Sequence, residues 1–293
     1  MKAILTMLLA GAVACMAFGA YEGAIGFQAG HGAKALGMGG AFTALADDGT
    51  AALWNPSGLI HADDAWITGA TTNTFGLFPN QYVAGGMSLA DYSLAVGWGN
   101  IADDVYSANM FMGSVAMHLA EIVGVGVNVK YYMEGYEGDL DSGFGFDIGL
   151  GMHVTDEFVV GIMAQDVGGV TLVEGETISP AYVAGMGVTL LEGALTLATD
   201  VKLAGDDIDI CMGLDVQLIE NLAIRGGLVL PEMDFDQSYF SLGAGVAFAG
   251  LNIDAAYILY EDVGNSLVLS ATFSFAELLP EPEPEPVETP PED

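Results

Sequence analysis

The chain has 293 residues, of which 52% are hydrophobic and only 15% charged, with 41 glycines and a formal charge of −34 at pH 7. Five basic residues against 39 acidic ones exclude nucleic-acid binding, which needs lysine and arginine against phosphate, and argue against direct salt bridges to anionic lipid head groups. Beyond residue 19 no run reaches the ~18 consecutive apolar residues of a spanning helix, so this apolar, glycine-rich chain points to sheet.

Residues 1–19 read as a secretory signal: Lys2 is the charged start, Ala3–Phe18 the apolar run, and Ala17 and Gly19 the small residues at the cleavage site, so the mature chain begins at Ala20. Ala12-Val13-Ala14-Cys15 is a weaker alternative, a lipid-attachment motif without its usual leucine. Once the signal is removed, Cys211 alone remains, and one cysteine builds no disulfide framework.

Residues 20–64 precede the first strand. Ala41–Ala46 is expected as a short helix stopped by Asp47-Asp48-Gly49. Thr50–Trp54 is expected as a second helical turn, capped by Asp48 or Thr50 and broken at Asn55-Pro56. Gly37, Gly39 and Gly40 permit tight turns or close approach to a wall; no Gly-Lys-Ser/Thr follows, so a phosphate loop is set aside.

From Ala65 to Phe275 fourteen strands are expected, the first at Ala65–Thr74 and the last at Ser266–Phe275. A strand crossing a bilayer needs about 9–11 residues with one apolar face, and bacterial barrels join such strands by short periplasmic turns and longer outer loops. Links after even strands are tight, as at Ala120-Glu121, Leu191-Glu192 and Ala249-Gly250. Links after most odd strands are longer, as at Glu134–Ser142, Val167–Ile178 and Pro231–Asp236. The expected fold is all-β: a transmembrane antiparallel β-barrel of about 14 strands over residues 65–276.

Within the strands, faces separate by alternation. Ile208, Ile210, Met212, Leu214, Val216 and Leu218 share one face; Asp209, Cys211, Gly213 and Asp215 share the other. Val123 to Tyr131 and Phe144 to Met152 repeat the pattern. Tyr131, Tyr132, Tyr257 and Tyr260 are expected in an outer aromatic girdle. The aromatic at the end of the last strand is the signal that barrel-assembly machinery reads.

Lys130, Lys202 and Arg225 all fall on the inner face. Register sets Arg225 opposite Asp215, Lys202 opposite Asp207, and Lys130 within reach of Asp147, a lumen charge network that also takes in Asp209. These pairings leave little for a metal at Asp207, Asp209 and Asp215. His118, His153, Ser114 and Asp147 lie on nearby strands, but no nucleophile motif surrounds Ser114, so no enzyme is expected. No cofactor is expected either. The acidic outer loops, with Glu134, Glu137, Asp139, Asp141, Glu174, Glu176, Glu232, Asp234, Asp236, Glu261 and Asp262, are a candidate Ca²⁺ site. Residues 277–293 carry seven acids and six prolines and read as a solvated periplasmic tail.

Gly32-Ala33-Lys34-Ala35-Leu36-Gly37-Met38-Gly39-Gly40-Ala41-Phe42-Thr43-Ala44-Leu45-Ala46-Asp47-Asp48, followed by Leu53-Trp54-Asn55-Pro56-Ser57-Gly58-Leu59, resembles the N-terminal signature of FadL-like outer-membrane proteins, and among them the PorV/PorQ group. The resemblance implies that residues 20–64 form a hatch inside the barrel, with Gly37, Gly39, Gly40, Asp47, Asp48, Asn55, Pro56 and Gly58 as its motif. FadL members pass hydrophobic molecules, typically long-chain fatty acids, towards an opening in the wall; PorV-like members receive exported proteins in type IX secretion. The expected function is therefore passive passage of small hydrophobic solutes through a plugged barrel. The alternatives are a PorV-like accessory in secretion or surface-protein attachment, and a structural envelope protein. The expected partners are outer-membrane lipid, the assembly machinery, and a hydrophobic ligand or a secreted protein cargo. Both termini are expected in the periplasm.

Overall fold

The computed structural model describes residues 31–74, 78–89, 91–102, 106–136, 139–172, 177–261 and 264–275. The expected signal, the Cys15 motif, residues 20–30 and the expected acidic tail lie outside them, as do Glu137, Glu174, Glu176 and Asp262.

Sixteen strands follow one another: β1 (Ala65–Thr74), β2 (Phe78–Leu89), β3 (Tyr92–Ala102), β4 (Tyr106–Ala120), β5 (Val123–Tyr136), β6 (Asp139–His153), β7 (Phe158–Gln165) and β8 (Val170–Thr171) come first. Then come β9 (Thr177–Ile178), β10 (Ala181–Leu190), β11 (Leu195–Ala204), β12 (Asp207–Ile219), β13 (Leu222–Leu230), β14 (Tyr239–Phe248), β15 (Leu251–Leu259) and β16 (Ser266–Ser274). Fourteen of them close an antiparallel barrel in sequence order, β1 pairing with β16 from Trp66↔Ser274 to Asn73↔Leu267. Closure joins the first strand to the last, and β7 meets β6 only from Ile148 to His153, so the long-loop part of β6 has no barrel strand on that side.

The period-two pattern sets which face is which. Along β6, Phe144, Phe146 and Ile148 are 60%, 50% and 47% exposed, while Gly145, Asp147 and Gly149 between them are buried. A ring of outward apolar side chains is a bilayer-facing wall, its strands hydrogen-bonded to one another all the way round. The tight links gather at one end, where Ala249 and Gly250 form a two-residue turn with φ of 48° and 74°, the left-handed geometry that suits strand twist.

The long-loop end departs from expectation. The Val167–Ile178 link is not an open loop: β8 and β9 form a small hairpin folded over the lumen. Its buried Val170, Leu172 and Ile178 pack with Met110 and Tyr132 and against Leu53. Asp166, at φ 49°, starts this inward turn. Tyr132 is therefore a lumen residue, only 2% exposed, and not part of the girdle. Tyr260 also packs inward, its ring 4.6 Å from Tyr239. Tyr131 and Tyr257 do face outward, Tyr131 beside Phe144 with ring centres 5.0 Å apart.

Residues 31–64 fill the barrel. The expected Ala41–Ala46 helix is absent; the helix lies earlier, at α1 (Ala33–Gly37). Over residues 41–46 the chain makes only a turn, with the Leu45 N–H donating to the Phe42 carbonyl at 2.9 Å, and the Phe42 and Thr43 N–H groups go to a wall carboxylate, Asp200, at 3.1 and 2.8 Å. The second helix, α2 (Ala51–Trp54), stands where expected. Thr50 gives no side-chain cap; Asp48 instead accepts from the Thr50 N–H at 2.7 Å and hydroxyl at 2.6 Å. Asn55 ends α2 in an extended conformation and caps an unforeseen 3-10 turn, Pro56–His61, by accepting from the Ser57 N–H at 3.1 Å.

Candidate functional site

The site is the lumen, and its main occupant is the hatch. Inward glycines make the room. A Cβ on Gly126 would overlap Pro56, one on Gly149 would overlap Asn55, and one on Gly227 would overlap Gly39. The hatch motif meets them from the other side. Gly39 and Gly40 adopt φ of 67° and 78°, and a Cβ on Gly37 would lie 3.2 Å from the Gly243 Cα. Gly58 leaves no room for a Cβ beside the Ala46 carbonyl. Buried Asn55 donates to the Thr43 carbonyl at 2.9 Å and to the Leu150 carbonyl of β6 at 3.0 Å, so one amide ties the hatch to itself and to the wall. Asp47 pairs with Lys34 at 2.7 Å. Burial raises Asp48 above the ordinary carboxylate range, opposed by Lys34 and by the Thr50 bonds.

Two ion-pair networks brace the wall. Lys130 Nζ lies 2.7 Å from both Asp147 and Asp166, with Lys130 2% exposed. Asn128 donates to Asp147 and to the Ala52 carbonyl of α2, each at 2.7 Å, and the Tyr132 hydroxyl donates to Asp166 at 3.0 Å. Arg225 faces Asp215 across β12–β13 and bonds it at 2.5 Å; it also reaches Asp254 on β15 at 2.5 Å. Register alone cannot find Asp254, because β14 stands between; the available signal was Gly245, paired with Asp254, whose missing side chain leaves the space.

The third pairing differs from expectation. Ala204 is still part of β11, so Lys202 stands opposite Asp209 while Asp207 pairs with Ala204 at the exposed rim. Asp209 accepts the Glu232 N–H at 3.0 Å, and among the described residues Lys202 has no ion pair. Sequence reasoning also missed Asp166 and Asp200, whose partners come from the folded-in link and the hatch backbone.

The hatch leaves a cavity on each side. Towards the long-loop end lies one of 170 Å³, floored by Leu36, Leu53 and Trp54 and walled by Met110, Met163, Val229, Tyr239 and Cys211, with Lys202 and Asp209 among its polar lining. Towards the short-turn end lies one of 180 Å³ with Lys34, Asp48, Arg225, Asp254 and Asn252. The segment Leu36–Gly40 separates them, held by Ser241 Oγ donating to the Gly37 carbonyl at 3.1 Å. No triad forms among the described residues: Asp147 is held by Lys130, and Ser114 Oγ has no hydrogen-bond partner. In the described part of the acidic loops, the Asp234 carboxylate takes the Asp236 N–H at 2.9 Å and the Gln237 amide at 3.2 Å.

No family model and no curated protein matches the sequence. Solved structures do match the fold. The chain is similar to CymD, a monoaromatic hydrocarbon channel, at 16% identity and TM-score 0.64, covering 84% of this chain and 98% of that one. It is similar to the Ralstonia pickettii toluene transporter TbuX at 12% identity and TM-score 0.63, covering 84% and 98%. It is also similar to a Pseudomonas aeruginosa FadL homologue at 12% identity and TM-score 0.62, covering 87% and 100%. At these identities the likeness is one of fold: a closed fourteen-stranded antiparallel barrel.

Proposed function

We propose that this chain is an outer-membrane, FadL-type barrel that passes small, largely apolar solutes passively, with the hatch as its plug. The long-loop end faces the outside and the short-turn end the periplasm. The observation that carries this reading is the 170 Å³ cavity above the hatch. A cavity of about 150 Å³ has room for one benzene molecule, so by size a single-ring compound fits, and Lys130, Asp147, Asp200, Lys202 and Asp209 give part of the lining a polar character. Leu53, Trp54, Met110 and Val229 supply apolar contact, and the hatch beneath closes the straight path that ions would need. The likeness to channels named for monoaromatic hydrocarbons and toluene supports the same class of solute. Closer kinship to the PorV/PorQ group rests on the hatch motif residues alone.

Cys211 lines the cavity and is the one cysteine outside the signal, which makes the test direct. Toluene at saturation should slow maleimide labelling of Cys211 in the folded protein at least tenfold. A labelling rate indifferent to toluene would remove the cavity as a solute site.

A further inference from the structure

The cavity above the hatch holds hydrogen-bonding groups that the protein leaves uncommitted. Lys202 lines it half-buried, and among the described residues it forms no ion pair. Register places Lys202 directly opposite Asp209, which lines the same cavity from β12. Side chains facing each other across an antiparallel pair have Cβ atoms about 4.5–5.5 Å apart, so both can reach a point between them. Asp209 instead commits Oδ1 to the Glu232 N–H at 3.0 Å, and its Oδ2 remains. Asp200 lies two residues before Lys202 on the same face of β11. Its Oδ2 accepts from the hatch, while its buried Oδ1 has no hydrogen-bond partner. A donor and an acceptor that face one cavity without meeting are best satisfied by a ligand group that does both jobs.

We propose that this cavity selects neutral single-ring aromatics bearing a hydroxyl, the phenol class, over bare hydrocarbons of the same size, with Lys202 and Asp209 as the selecting pair. The inference rests on the cavity being the solute site. A hydroxyl both accepts and donates, so one oxygen takes an N–H from Lys202 Nζ and gives its own hydrogen to Asp209 Oδ2. The ring lies against Leu53, Trp54, Met110 and Val229. Charge argues for a neutral solute. A carboxylate on the ring would meet a lining in which Asp147, Asp200 and Asp209 outnumber Lys130 and Lys202, and an ammonium would meet Lys202. A site that hydrogen-bonds a hydroxyl rejects the isostere lacking it, because its own polar groups are then left unpaired. A wholly apolar cavity would rank the two the other way, since there the hydroxyl loses its water and gains no partner.

The reporter is maleimide labelling of Cys211, which follows Asp209 by two residues on the same face of β12 and lines the cavity. The full mature chain, folded in detergent, is labelled in the presence of toluene, phenol, benzoate or benzylamine at known free aqueous concentrations. Phenol should halve the labelling rate at a concentration at least tenfold below the one toluene needs. Lys202→Met and Asp209→Asn should each abolish that preference while toluene still protects, which also shows that the cavity survives the change. Three results would each overturn the proposal: phenol no better than toluene, benzoate or benzylamine as effective as phenol, or a preference kept in both variants. Protection by toluene alone would overturn the hydroxyl preference and keep the cavity as the solute site. Protection by none of the four would remove both.

Discussion

Asp200 holds Thr43: a carboxylate on β11 accepts a backbone N–H of the hatch at 2.8 Å, and its same oxygen also accepts from Phe42 at 3.1 Å. Hydrogen bonds to a charged group contribute about 1.5–3 kcal/mol each. Asp200→Ala should therefore loosen the hatch more than the barrel. Limited proteolysis within residues 31–64 should speed up at least tenfold, while the heat-modified mobility of the barrel is kept. Unchanged cleavage would mean that Asp200 does not retain the hatch.

Lys130 serves two carboxylates in a dry part of the wall. Lys130→Met would strand Asp147 and Asp166 at a cost of about 3–5 kcal/mol, because removing one partner leaves buried charge uncompensated. Adding Asp147→Asn and Asp166→Asn to that variant should recover most of the loss. Urea unfolding in lipid vesicles gives both numbers, and a triple variant no more stable than the single one would refute the assignment.

The lumen glycines differ in what they face. Gly126→Val should cost about 1–3 kcal/mol or more through overpacking, because its side chain would enter Pro56. Gly113, outward on β4, has open space at its Cβ, and Gly113→Val should be neutral or stabilising. Equal effects at the two positions would show that the hatch does not press on the wall.

These residues also show what the sequence disclosed. Alternation within strands such as Asp207–Ile219 and the short-long rhythm of the links made the barrel legible, because period two is a local property. The hatch motif placed Asn55 and Pro56 as a break, yet the helix lies at Ala33–Gly37 and not at 41–46, where the backbone is instead fastened to the wall through Asp200, a tertiary contact with no local pattern. The inward glycines are the seat of the hatch. Tyr132 was misplaced because the folded-in link that buries it is a tertiary event with no local pattern.

His31 is stacked on Tyr82 with ring centres 5.1 Å apart, and burial lowers its pKa to about 4. The unfolded chain, with an ordinary histidine near 6.5, binds more protons between those values, so stability is full above pH 6.5 and falls as pH drops towards 4. One such group accounts for about 3 kcal/mol across that window. His31→Phe should flatten the difference in midpoint between pH 7 and pH 4.5, which thermal unfolding measures. An identical pH slope in both proteins would rule out His31 as its source.

Flux across an asymmetric, lipopolysaccharide-containing vesicle membrane is the most direct test of the plugged passage. The mature chain should carry a labelled single-ring aromatic at least tenfold faster than empty vesicles, show no ion conductance, and lose that flux once Cys211 bears a bulky maleimide. Aromatic entry no faster than through empty vesicles, or untouched by the Cys211 adduct, would contradict the account.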